Sequence, residues 1–260
     1  MSKIVFFDID GTLFYSGIGI PDSARKALKQ LFANGHKAVM CTGRSSGMIP
    51  ESYFHMRFHG MILGAGAYVE YDGKVLHQEL MSSREVQKVI DWGKEQNIGI
   101  VLEGRNSGYY DKDNHQEYYT GMIRKTERDC EGKMKPLEEA REIQKWTYHH
   151  LDPGKKYEIE AILEGKYVGT YHEPANSVEF LPKGIQKAKG IEWILQETGF
   201  QRKDTYAFGD SANDIDMIRY VHYGTAMGNA VPELKEAADY VTERADQDGI
   251  ARGLAHFGLI

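Results

Sequence analysis

Two aspartates spaced one residue apart, Asp8 and Asp10, close an apolar, β-favouring run and lead into Gly11-Thr12. Side chains two apart along a strand start on the same side. Two carboxylates are thereby crowded together, and each raises the cost of ionising the other. The turn after the strand can re-aim Asp10, and Gly11 lets the chain bend sharply with no side chain in the way. The bland alternative is a solvated Asp-Gly turn. An EF-hand loop fits poorly, because the glycine falls at loop position 4 rather than 6 and a strand precedes it.

A second polar cluster, GDSANDIDM, carries Gly209, Asp210, Asn213 and Asp214 directly after the apolar stretch Thr205–Phe208. Helix capping accounts for one acidic residue there, but not for three polar groups together. If Asp8, Asp10, Asp210 and Asp214 converge, each pair of like charges ~4 Å apart costs on the order of 4 kcal/mol at an effective dielectric of 20. Something positive must sit among them. A hard divalent cation is the natural answer, and oxygen donors with retained waters suit Mg²⁺.

Lys187 opens a helix, where the positive end of the dipole makes a lysine locally unfavourable. A solvated surface lysine is the common alternative, and Lys183 and Lys189 are its controls. Thr42-Gly43-Arg44 offers a hydroxyl, backbone N–H groups and a guanidinium at a strand end, a set suited to phosphate oxygens.

These groups need elements to hold them. Ile4–Phe7 reads as a strand buried on both faces, Pro21 to Asn34 as a helix, and Lys37 to Cys41 as the next strand, which makes a βαβ unit. The last third follows the same alternation. It has a helix from Lys187 to Thr198, a strand at Thr205–Phe208, and short strands in YGTAMGNA and ADYVT around a helix at Pro232–Ala238. The middle is more charged and richer in tyrosine. There the pattern predicts strands at Ile98–Leu102, Tyr157–Leu163 and Tyr167–Tyr171, with helices near Glu85–Gln96 and Pro136–Tyr148. The expected architecture is α/β. Residues 1–81 and 182–260 form a doubly wound, Rossmann-like, mainly parallel sheet, with an α+β domain inserted at 82–181.

Bulk properties exclude more than they name. With 41% hydrophobic and 27% charged residues the chain is neither disordered nor membranous. No apolar run reaches the roughly 18 residues of a membrane span, and the N-terminus has no secretory pattern. Cys41 and Cys130 are isolated thiols, as expected in a reducing cytoplasm. A net charge of −6 argues against a nucleic-acid surface.

FFDIDGTLF, CTGR, PKGIQKAKGI and FGDSANDIDM, in this order, resemble the four motifs of the haloacid dehalogenase (HAD) superfamily. The closing AMGNAVPELKEAADYVTERADQDGI is similar to the tail of its Cof-type phosphatases, which carry a large α/β cap between the second and third motifs. The resemblance implies that Asp8 is a nucleophile forming an aspartyl-phosphate and that Asp10 donates a proton to the leaving alcohol, then activates water. It implies that Thr42 holds the phosphoryl oxygens, with Gly43, Arg44 and Asn213 contributing, and that Lys187 neutralises nucleophile and phosphate. Asp210 would ligate Mg²⁺ with the Asp8 carboxylate and the Asp10 backbone carbonyl, while Asn213 and Asp214 complete or support that site. The implied partner is a small phosphorylated metabolite, such as a sugar phosphate, with no nucleic acid or membrane, and the protein is expected as a monomer or weak homodimer.

Two departures stand out: Ala65-Gly66-Ala67 where Asn-Gly-Ala is usual, and Ala188 where a glycine usually follows the lysine. Rival readings are a phosphomutase with the same chemistry and a non-catalytic metabolite sensor; the latter should have lost one of Asp8, Asp10, Lys187 or Asp210. Three other patterns are weaker. GAGAYV is half of a dinucleotide fingerprint, His55 and His59 have metal-like spacing without an acidic partner, and DKDNHQE lacks the glycine of a calcium loop. Tyr109, Tyr110, Tyr118 and Tyr119 suit either substrate contact or a core.

Overall fold

The apolar run Ile4–Phe7 is strand β1, with all four side chains shut away from solvent, in a computed structural model that describes residues 1–51, 53 and 56–260. Helix α1 (Asp22–Ala33) turns Ala24, Ala27, Leu28 and Leu31 inward and ends at Gly35, whose φ of +81° few other residues adopt. Strand β2 (Lys37–Cys41) then pairs parallel with β1, followed by parallel β3 (Gly60–Leu63), antiparallel β4 (Tyr68–Tyr71) and edge strand β5 (Lys74–Gln78). His55 lies outside the described residues; His59 Nδ1 accepts the Ala38 N–H at 3.3 Å. GAGAYV forms a tight turn into β4 and opens no α-helix.

The middle of the chain folds as a unit of its own, Arg44–Met56 with Gln78–Ile185. The Arg44–Met56 segment packs with this unit although it falls within residues 1–81. Helix α2 (Ser83–Glu95) starts in a capping box: Ser82 Oγ accepts the Glu85 N–H, and Glu85 accepts the Ser82 N–H at 2.9 Å. Then come β6 (Gly99–Gly104), β7 (Gly108–Tyr110), α3 (Glu117–Asp129), β8 (Met134–Pro136), β9 (Ile143–His149), α4 (Lys156–Ile162), β10 (Tyr167–His172) and β11 (Ser177–Pro182). The six strands run in the order β10-β11-β9-β6-β7-β8.

Two expectations fail here. Pro136–Tyr148 is not a helix. Trp146 and Tyr148, two apart on β9, both go to the interior, where Trp146 stacks on Phe180 with centroids 4.7 Å apart; alternation won over the helical period. Tyr157–Leu163 is helix α4 rather than a strand. Ile159 and Leu163 are four apart and both buried, a spacing that a short apolar run satisfies as readily as alternation. Tyr109 and Tyr119 are core residues, and the Tyr119 hydroxyl donates to the Ile100 carbonyl at 2.5 Å. In the Asp111–Glu117 loop, Asp111 accepts the Asp113 N–H and Asn114 the Gln116 N–H, while the Asn114 and Gln116 amides donate to the Ile98 and Asn97 carbonyls at 3.3 and 2.8 Å.

Lys145 of β9 is buried between Glu103 of β6, at 3.2 Å, and Glu179 of β11, to which His172 also comes within 3.4 Å. Ser45 adds its N–H and hydroxyl to Glu103.

The chain then returns to the first unit, Met1–Gly43, Arg57–His77 and Gln186–Ile260. It adds α5 (Lys187–Thr198), β12 (Thr205–Gly209), α6 (Ile215–Tyr220), β13 (Tyr223–Ala226), α7 (Pro232–Ala237), β14 (Tyr240–Val241) and α8 (Gly249–His256). The eight strands run β14-β13-β12-β1-β2-β3-β4-β5, and β14 to β3 are all parallel. This is the doubly wound α/β core that the sequence predicts. Successive strands leave β1 toward opposite edges, which makes its carboxyl end a switch point where ligands bind in such sheets. Among the described residues no helix is long and apolar enough to cross a membrane.

Candidate active site

Asp8 is the first residue past β1, and its N–H donates to the Phe208 carbonyl of β12 at 3.0 Å. Lys187, the first residue of α5, is fully buried and donates to Asp8 Oδ1 at 2.7 Å and Asp214 Oδ1 at 2.5 Å. Burial alone would lower the Lys187 pKa, but the Asp214 and Asp8 carboxylates hold it well above the usual value. The ammonium is therefore charged at neutral pH. The Ala188 N–H at the start of α5 donates to Asp216 at 2.8 Å, which fixes the turn that carries Lys187.

Asp214 is used at both oxygens. Oδ1 meets Lys187, while Oδ2 accepts the backbone N–H groups of Asp210 and Ser211, each at 3.0 Å. Asn213 is exposed; its Oδ1 accepts the Ser211 hydroxyl at 2.7 Å, and its Nδ2 lies 3.3 Å from where a Cβ on Gly43 would sit. Asp210 is half-buried, with Oδ1 3.4 Å from the Thr12 hydroxyl. Gly11 has φ +82°, and a Cβ there would run into the Asp210 carboxylate. No other residue permits that approach.

One oxygen each from Asp8, Asp210 and Asp214 fall within 4.8 Å of one another. Burial and then the Asp214 charge push the Asp210 pKa up to about 7, and the same two causes push Asp8 well above the carboxylate range. Lys187 alone does not neutralise the group. An all-carboxylate donor set short of positive charge fits a hard divalent cation.

Thr42 is buried just past β2; its N–H donates to the Ile62 carbonyl at 2.9 Å and its carbonyl accepts the Ala65 N–H at 3.0 Å. Ala65 is left-handed at φ +54°, a conformation that Asn tolerates better than Ala. Asp10 is half-buried, and its charge reaches Asp210. The first unit thus gathers Asp8, Asp10, Thr42, Gly43, Asp210, Asn213 and Asp214 just past the neighbouring strands β1, β2 and β12, with Lys187 at the start of α5. Arg44 belongs to the second unit, where its guanidinium donates to the Met48 carbonyl at 3.2 Å.

Two polar residues of this site leave no mark in the sequence. Asp216 reads as an ordinary first-turn acid of α6. Asn229 sits in a Gly-Asn pair ahead of a proline-opened helix, which reads as a turn, yet its side chain donates to the Gly11 carbonyl at 2.8 Å.

Residues 5–254 match the haloacid dehalogenase-like hydrolases. The chain belongs to that family. This HAD hydrolase is 33% identical over 259 residues to "Putative phosphatase YkrA" of Bacillus subtilis (strain 168), covering all of this chain and 99% of that one. It is 25% identical over 260 residues to the 5-amino-6-(5-phospho-D-ribitylamino)uracil phosphatase YcsE of the same organism, covering 99% of this chain and 96% of that one. The structure of the HAD subclass IIB sugar phosphatase BT4131 superposes with a TM-score of 0.82 at 28% identity, over the full length of both chains. Within the family, the HAD hydrolase is a phosphatase of the Cof type.

Proposed function

We propose that this chain hydrolyses phosphomonoesters of small metabolites in the cytoplasm, with Mg²⁺ as the metal and Asp8 as the nucleophile. The observation that carries this reading is the buried Asp8–Lys187 pair at 2.7 Å inside a cluster with Asp210 and Asp214. Relatives named for a sugar phosphate and a ribitylamino compound support polyol and sugar phosphates as the substrate class. Residues 1–81 and 182–260 carry the chemistry, and the inserted 82–181 discriminates among leaving groups.

Asp8, Asp210 and the Asp10 carbonyl would hold the ion. Asp214, with both oxygens already engaged by protein donors, acts as the anchor of Lys187 and of the Asp210 loop. Bound Mg²⁺ supplies positive charge to the phosphoryl oxygens and to the crowded carboxylates. An Asp8 oxygen attacks phosphorus while the bond from phosphorus to the leaving alcohol breaks, and Asp10 gives that alcohol its proton. Asp10 then takes a proton from water as the water oxygen attacks phosphorus. The bond from phosphorus to Asp8 breaks and inorganic phosphate leaves. Thr42 and Gly43 receive phosphoryl oxygens, and Lys187 offsets their charge.

The test is phosphate release from a broad phosphomonoester panel with Mg²⁺ or with EDTA, together with mass analysis of acid-quenched enzyme. The expected result is Mg²⁺-dependent release, a phosphate on Asp8 and no turnover by Asp8→Asn. Turnover that survives EDTA or that substitution overturns the reading. A requirement for a bisphosphate activator would instead indicate a mutase.

A further inference from the structure

The turn between β13 and α7 is fastened to the loops that carry the carboxylates. The Met227 N–H donates to the Gly209 carbonyl and the Val231 N–H to the Asp210 carbonyl, both at 2.9 Å. Between them, Asn229 Nδ2 donates to the Gly11 carbonyl at 2.8 Å and reaches Asp210 Oδ2 at 3.4 Å. Asn229 Oδ1 accepts the Ala245 N–H at 3.0 Å. A carbonyl can only accept and an N–H only donate, so these partners fix the orientation of the amide. One side chain therefore ties together the chain after β1, the Asp210 loop and the segment before α8.

We propose that Asn229 is a positioning residue that presets the Asp210 carboxylate for the divalent cation. This rests on the Mg²⁺ reading above. Lys187 is directed at Asp8 and Asp214 rather than at Asp210, and the charges of Asp214 and Asp10 both bear on the Asp210 carboxylate. The Asn229 amide gives Asp210 Oδ2 a donor that is itself held firmly by Gly11 and Ala245. Without it, the carboxylate has to be drawn back against its neighbours when the ion arrives, and ordering a group on binding weakens affinity. The groups that orient metal ligands typically contribute about 10–100-fold to metal affinity.

The experiment titrates Mg²⁺ against the melting temperature of the full chain without substrate, and separately measures kcat at saturating Mg²⁺. In Asn229→Ala the Mg²⁺ concentration for half the shift should rise at least ~10-fold, while kcat at saturation stays within a few-fold of wild type. Asn229→Ser, too short to span Gly11 and Asp210, carries the same test should the alanine variant not fold. Lys235→Met removes a different fastening of the turn, the Lys235–Gly228 carbonyl bond at 2.7 Å. It should lower the metal-free melting temperature and leave the Mg²⁺ midpoint unchanged. An unchanged midpoint in the Asn229 variants, with a responsive wild type, overturns the role of Asn229 alone. An equal rise in Lys235→Met overturns it in favour of general loop packing. A wild type that Mg²⁺ does not stabilise overturns the metal reading itself.

Discussion

Lys187 and Asp214 form an ion pair at 2.5 Å with neither side chain exposed to solvent. The attraction must offset the removal of both charges from water, and the additional hydrogen bonds to Asp214 make that balance workable. Breaking one partner strands the other. Asp214→Asn should therefore cost roughly 3–5 kcal/mol of stability and lower kcat by at least ~100-fold through the misplaced lysine. Urea denaturation and phosphate release check the two effects separately.

Gly11→Ala tests the close approach of the first loop to Asp210. The left-handed backbone alone costs an alanine about 1–2 kcal/mol, and the new methyl group displaces the Asp210 carboxylate. The expected outcome is a lower melting temperature together with a weaker response to Mg²⁺. Unchanged Mg²⁺ dependence would show that the carboxylate moves aside without consequence.

The Lys145 cluster predicts the reverse of additivity. Lys145→Met leaves Glu103 and Glu179 facing each other with no ammonium between them, at a cost of roughly 3–5 kcal/mol. Replacing both glutamates by glutamine in the same chain should recover most of that loss. Urea midpoints of the single and triple variants decide it, and equal midpoints would mean the cluster is indifferent to charge.

Acid should destabilise the second unit in two steps. Burial and then the neighbouring His150 lower the His149 pKa from 6.5 to about 4. Burial works against the charge on Glu179, but Lys145 and His172 outweigh it and lower its pKa from 4.5 to about 2. Both groups bind protons more tightly when unfolded, so their contributions are complete at higher pH and fade as pH falls. His149 acts between pH 6.5 and about 4, and Glu179 between 4.5 and about 2. Each shift is worth on the order of 3 kcal/mol. His149→Gln should flatten the upper limb of a melting-temperature profile and Glu179→Gln the lower one.

The core was legible because its chemistry sits at strand ends with few local alternatives. Ile4–Phe7 and Thr205–Gly209 are too apolar and too short for anything but buried parallel strands, and the residues after them had to meet at one edge. The second unit was less legible. Glu158-Ile159-Glu160 serves a strand or a helix equally, and only packing against the sheet selects the helix, with Ile159 fully buried. Asn229 was hidden for a different reason. Its partners are 218 residues upstream at Gly11 and 16 residues downstream at Ala245, and neither distance leaves a local pattern.

The central place of β1, between β2 and β12, has a consequence for biosynthesis. A ribosome delivers β1 first and β12 about two hundred residues later, so one flank of a wholly apolar strand stays open while the intervening chain is made. The growing chain carries an adhesive edge until β12 emerges, the kind of surface that chaperones bind on growing chains. Activity cannot appear gradually under these conditions. Asp8 meets Asp210 and Asn229 only once the segment from β12 to α7 has emerged, so a synthesis product interrupted before that point would be sticky and inert together.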